Sequence, residues 1–215
     1  MLRSVRITYF ELRQSGWMIV IPPALVVLTA VVFLLSYFSP TQEIRERSLW
    51  IFQQLSVLLV PVAALLWAHF FVGNVYERAK NIFAICENAY LTKLILRAGV
   101  PFALFVYLLF YVLSLLILSY SQEINSIAVR TALISIAYFI VFAMCSFLFA
   151  TSYGGFLAAL FFTLFSYGAT MGWFFNVPLW LNPLAEQNSF AHIWFLSVVV
   201  VFLYGILCAF EKIKY

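Results

Sequence analysis

Aspartate is absent from all 215 residues, and the eight acids are all glutamates. Charged side chains make up 9% of the chain, where a soluble domain carries about 25%. A water-exposed surface cannot be built from so few charges, which excludes a soluble globular domain. Without aspartate there is no aspartyl protease dyad. His69 and His192 stand 123 positions apart and neither begins an HExxH, so a zinc protease has no ligand set. No GxSxG supplies a serine nucleophile. No GxxxxGK[ST] or other glycine-rich phosphate loop is present, so the chain is not expected to bind ATP itself. Cys86, Cys145 and Cys208 are isolated, without CxxC or metal-ligand spacing, and read as small packing residues. Enzyme activity is therefore not expected, and no cofactor or metal is expected on this chain.

What is abundant is apolar. Hydrophobic types reach 66% and aromatics 20%, with a mean hydropathy of +1.05. A bilayer core about 30 Å thick needs roughly 20 apolar residues in a helix. Six runs have that length: 17–38, 50–73, 100–120, 132–151, 156–175 and 191–210. Stretches such as LVVLTAVVFLL lack the alternation of a barrel strand, and helices satisfy their own backbone in lipid. The expected fold is an all-α membrane protein with six transmembrane helices, forming one domain over residues 1–215. Charge within the first sixteen residues, followed by a run long enough to span, argues against a cleavable signal peptide.

Basic residues set the expected orientation. Arg3, Arg6, Arg13, Arg78, Lys80, Lys93, Arg97, Lys212 and Lys214 fall on one side, against Arg45, Arg47 and Arg130 on the other. Nine against three predicts both termini in the cytoplasm. The net charge of +4 reports this asymmetry and gives no reason to invoke nucleic acid. The outer connections, 39–49, 121–131 and 176–190, leave no room for an extracellular domain. Ser152 to Gly155 reads as a tight inner turn.

Three segments stand out as candidates for function. Residues 1–14 place Leu2, Val5, Tyr9 and Leu12 near one helical face, with Arg3, Arg6 and Arg13 largely elsewhere. That pattern fits an interfacial amphipathic helix, either a topological anchor or a brace for a cytoplasmic partner. Residues 74–97 hold six of the twenty charges, with apolar Ile82, Phe83, Ile85, Tyr90, Leu91 and Leu94 among them. A short helix over Asn81–Ala89 would expose Glu87 and bury Phe83, and a snorkelling positive-inside loop is the alternative. Residues 176–190 are too short to span and are broken by Pro183. They read as an outer re-entrant segment or an interfacial hairpin, with Glu186 facing outward.

Within the spans, His69 is the ionisable group, near the inner end of span two. It is a candidate proton or cargo contact, or a neutral histidine close to the interface. Gln53 and Gln54 are a polar pair near the outer end of the same span. Pro61 lies mid-span and predicts a kink. Gly168 and Gly172 form a GxxxG that permits close helix contact.

An N-terminal amphipathic helix, six spans and a loop after span two with Glu77 near its start and Lys93 near its end resemble an ABC-2 type transporter permease. Pro178, Leu179, Trp180 and Pro183 before span six also resemble the Leu-Pro-Leu-Trp…Pro pattern common in that family. The chain differs in having Lys80-Asn81 where the family often has Gly-Thr or Gly-Ser, in its rather short loop, and in lacking a proline before Lys93. The resemblance implies the permease subunit of an ABC exporter in a plasma membrane, placed in bacteria. Two permease copies, identical or homologous, would form the pathway within membrane lipid. A separate cytoplasmic ATPase would bind ATP and Mg and push on the second-to-third-span loop. The residues implied in coupling are Glu77, Asn81, Phe83, Glu87, Tyr90 and Lys93, with the interfacial helix as a brace. Gln53, Gln54, Pro61, His69, Trp180, Pro183 and Glu186 are candidates for pathway or gate. A peptide, a lipid-like molecule or a drug suits such apolar spans as cargo. The alternatives are a non-transporting assembly or immunity subunit, or a secondary transporter.

Overall fold

The structure is a computed structural model that describes residues 16–86, 92–93, 95–148, 153–157, 160 and 189–213. Among these residues there are helices and no strand. A 3-10 turn at Gly16–Val20 leads into α1, Ile21–Tyr37. Pro22 and Pro23 sit in its first turn, where a missing N–H is harmless. α1 closes as Phe38 N–H donates to Leu34 O at 3.0 Å, and Pro40 follows. The short α2, Gln42–Glu46, begins after an extended Thr41 and has Glu43 in its first turn and Arg45 in its last, both matched to the helix dipole. α3 runs for 39 residues, Ser48–Cys86, through Pro61 without interruption. α4, Val100–Leu116, is preceded by a single π turn at Ile95–Gly99. A 3-10 turn at Leu118–Tyr120 passes directly into α5, Ser121–Leu148. α6 is Ser189–Ile213.

Four of these helical stretches are long and apolar enough to cross a membrane: Met18–Tyr37, Ser48–Phe71, Ile95–Leu116 and Leu118–Ser146. They match the first four expected spans. α6 covers the expected sixth, while most of 156–175 lies outside the described residues. Three boundaries differ from the sequence reading. Residues 121–131, expected as an outer loop, are the first turns of α5. Span three, expected from Val100, is already helical at Ile95, since the π turn Ile95–Gly99 continues into α4. Tyr153 to Gly155, expected as a tight turn, belong to a helical segment at 153–157.

Side chains explain why these helices pack as they do. α5 lies against α3, α4 and α6, and α3 also carries α1. Just over half of the most apolar stretch of α5 is buried (56%), against 28% for α1, so α5 is the centre of the described bundle. Lipid tails are as apolar as leucine, so helices in lipid adhere by close packing and small residues. The buried set fits: Ala63, Ala64 and Ala68 on α3, and Ala128, Ser135, Ala143 and Ser146 on α5. Phe33, Phe52 and Phe110 join α1, α3 and α4 through ring centroids 4.7 and 4.9 Å apart. Some buried hydroxyls return to their own helix, as Thr29 Oγ1 to Val26 O (2.6 Å) and Ser135 Oγ to Thr131 O (2.7 Å), whereas Ser48, Ser56 and Ser146 Oγ have no hydrogen-bond partner among the described residues. The outward faces are apolar: Val31 and Leu35 on α1, Leu104 and Leu108 on α4, Val201 and Phe202 on α6. An apolar exterior around helices that satisfy their own backbone is what a bundle in lipid requires.

Candidate functional site at the loop end of the bundle

Several inter-helix contacts gather at the end of the bundle that carries the charged segment 74–97. Span two reaches it at Trp67, whose indole Nε1 donates to the Ala98 carbonyl of the π turn at 2.9 Å. The indole stacks on Phe102 (5.2 Å, 24°) and tilts against Phe71 (4.8 Å). Gly99 faces Phe139 of α5, and a Cβ there would lie 3.1 Å from the ring. Just before the π turn, Thr92 Oγ1 is 3.7 Å from the Cys208 thiol on α6. α3, the π turn, α5 and α6 therefore meet where the charged segment returns to the bundle.

Two residues beyond Trp67, His69 sits in an aromatic surround. Its ring centroid is 5.9 Å from Phe70, 6.2 Å from Phe142, 5.5 Å from Tyr153 and 5.2 Å from Phe156. The ring is half-buried. Phe142 lies on α5, and Tyr153 and Phe156 belong to the 153–157 segment, so the histidine ties three parts of the chain together. Gly155 in that segment presses on α5 at Ser146, whose backbone nitrogen is 2.7 Å from where a Cβ would be.

The residues expected to couple fall as follows. Glu77, Asn81 and Phe83 lie on the backbone of α3, and their side chains are outside what the structure describes. Asn81–Cys86 is helical, as expected, but it continues span two and is not a separate helix. Glu87 and Tyr90 lie outside the described residues, as do Arg3, Arg6, Tyr9, Arg13, Trp180, Pro183 and Glu186. Lys93 is half-buried in a helical step beside Thr92. Gln53 and Gln54 are half-buried on α3 and Pro61 is buried there, all three far from the loop end. The Gln54 Oε1 and Ser56 Oγ atoms are buried without a hydrogen-bond partner among the described residues.

Two features were missed by the sequence reading. One is Arg130, expected in an outer loop. It lies nine residues into α5, about 14 Å along the helix, and is only 9% exposed. A buried arginine inside an apolar span is a functional candidate. Its signal was present: Ile124, Ile127, Ala128, Thr131, Ile134 and Ser135 keep helical spacing straight through the supposed loop. The second is the pairing of Trp67 with the π turn, which no sequence pattern announces.

No protein-family model matches the chain, and neither curated proteins nor solved structures give a match.

Proposed function

We propose that this chain is the membrane permease subunit of an ATP-binding cassette exporter, working with a second permease copy and a separate cytoplasmic ATPase. The carrying observation is the continuity of α3. The expected span 50–73 lies inside this helix, which runs on without a break through 74–86. At 1.5 Å per residue those 13 residues are about 20 Å of helix, and they bear Glu77, Asn81 and Phe83. A partner gripping the extension would move span two directly, with no loop between grip and span to absorb the motion. Span three is tied to the same lever through Trp67 and Ala98. The family resemblance of the landmarks Glu77 and Lys93 gives that partner its chemistry, an ATPase whose closure does work on the charged segment. The apolar exterior and aromatic-rich spans suit an amphipathic cargo.

Affinity purification of the tagged chain, expressed together with its neighbouring genes, tests the reading. An ATPase subunit should co-purify, and Glu87→Arg should reduce cargo-dependent ATP hydrolysis about tenfold, an ordinary coupling free energy between sites. A stable complex with no ATPase, or an unchanged coupling in Glu87→Arg, would overturn it in favour of an assembly or immunity subunit.

A further inference from the structure

The third span has one break in its backbone register, the π turn Ile95–Gly99. A local cause is Pro101, the second residue of α4. Proline has no N–H, and in an unbroken α-helix its ring would press on the carbonyl four residues earlier, that of Arg97. Widening the turn just ahead of the proline relieves that clash, at the expense of poorer hydrogen-bond geometry. What keeps the widened turn in place comes from other helices. Trp67 of α3 donates to Ala98 O at 2.9 Å, and Phe139 of α5 closes against Gly99. On its other side the turn is loosely held: Leu96 is 56% exposed and Arg97 is half-buried.

We propose that Ile95–Gly99 is a register joint. It exchanges between the π turn, latched by the Trp67 indole, and an α-wound turn in which that latch is open. Rewinding by one residue rotates the chain ahead of it by about 100°. The rotated part carries Thr92 and Lys93, so the 3.7 Å contact of Thr92 with Cys208 on α6 breaks in the rewound state. Movement of the charged segment is thereby converted into a change at the start of span three, with α6 engaged in one state only. The joint depends only on this geometry. Its use as the point where external work reaches span three rests on the permease reading above.

Hydrogen exchange measured on the full chain in lipid nanodiscs tests the joint. The Gly99–Phe139 contact puts residues 139–143 of α5 at the same depth, which makes them the internal reference. Amides in 96–103 are expected to exchange about tenfold faster than those in 139–143, as a locally opening unit does. Trp67→Phe keeps the ring stack on Phe102 but removes the donor, and should speed 96–103 about tenfold more while 139–143 stay unchanged. Exchange in 96–103 as slow as in 139–143, and unmoved by Trp67→Phe, would overturn the joint. A locked joint in a chain that co-purifies with an ATPase leaves the permease reading standing. An opening joint in a chain with no ATPase partner does the reverse.

Discussion

At the scale of single residues, three glycines separate what packing demands from what the backbone tolerates. A Cβ on Gly155 would lie 2.7 Å from Ser146 N and 2.9 Å from Ser146 Cα. Both are backbone atoms of the central helix and cannot swing aside. Gly155→Ala should therefore destabilise the bundle by about 1–3 kcal/mol, the usual range for overpacking. At Gly99 the added methyl meets the face of the Phe139 ring at 3.1 Å. A ring can shift by a few tenths of an ångström, so Gly99→Ala should be milder. Gly205 is exposed on α6 with nothing within 4 Å among the described residues. There Gly→Ala should be neutral or stabilising by up to about 1 kcal/mol through helix propensity. Thermal unfolding in detergent micelles checks the series, and the order Gly155, Gly99, Gly205 is the expected result. Equal effects at Gly155 and Gly205 would contradict the close approach to Ser146. The sequence showed Gly154-Gly155 as a turn signal, but the need there is proximity. Only the position of α5 could have revealed that.

At the scale of elements, four long apolar helices were legible because apolar length is a direct physical requirement of a helix in lipid. Their ends were less so. The expected span two, 50–73, stops before Asn74, Glu77, Arg78 and Lys80, since charge leaves the bilayer. Glu, Arg, Ala and Lys are also strong helix formers, and α3 simply continues through them to Cys86. Charge marks where the membrane ends, and the helix need not end with it. The opposite error occurred at 121–131. There residues 121–131 are expected as an outer loop, while the buried stripe from Ile124 onward follows helical spacing. Cysteine scanning in a background without native cysteines resolves this stretch. Glu123→Cys, at an exposed position, should react with a membrane-impermeant maleimide, whereas Ile127→Cys and Ala128→Cys, at buried positions, should not. A surface loop would instead label along its whole length. The candidate site was legible in part for the same reason. The charged segment stood out by composition, but Trp67 and Ala98 are ordinary residues until two helices bring them within 2.9 Å.

At the scale of the whole molecule, the described helices fix relative directions. α4 and α5 form a hairpin: Gly99 opposes Phe139, and the chain reverses at Leu118–Tyr120. α3 runs antiparallel to α4, since Phe52 meets Phe110 while Trp67 meets Phe102. α3 and α5 are thus parallel, and the contact of Thr92 with Cys208 places the C-terminal part of α6 at the loop end as well. α5 arrives at the loop end at Leu148, and α6 returns to that end by Cys208. Paired reporter fusions in a bacterial host test this directly. Fusions at Lys93 and after Tyr215 should be active with a reporter that works in the cytoplasm, in keeping with the basic residues at that end. Fusions at Glu46 and Ser119 should be active with one that works outside it. A C-terminal fusion that reports on the same side as Ser119 would mean that α6 does not run parallel to α5, and the Thr92–Cys208 contact could not then form.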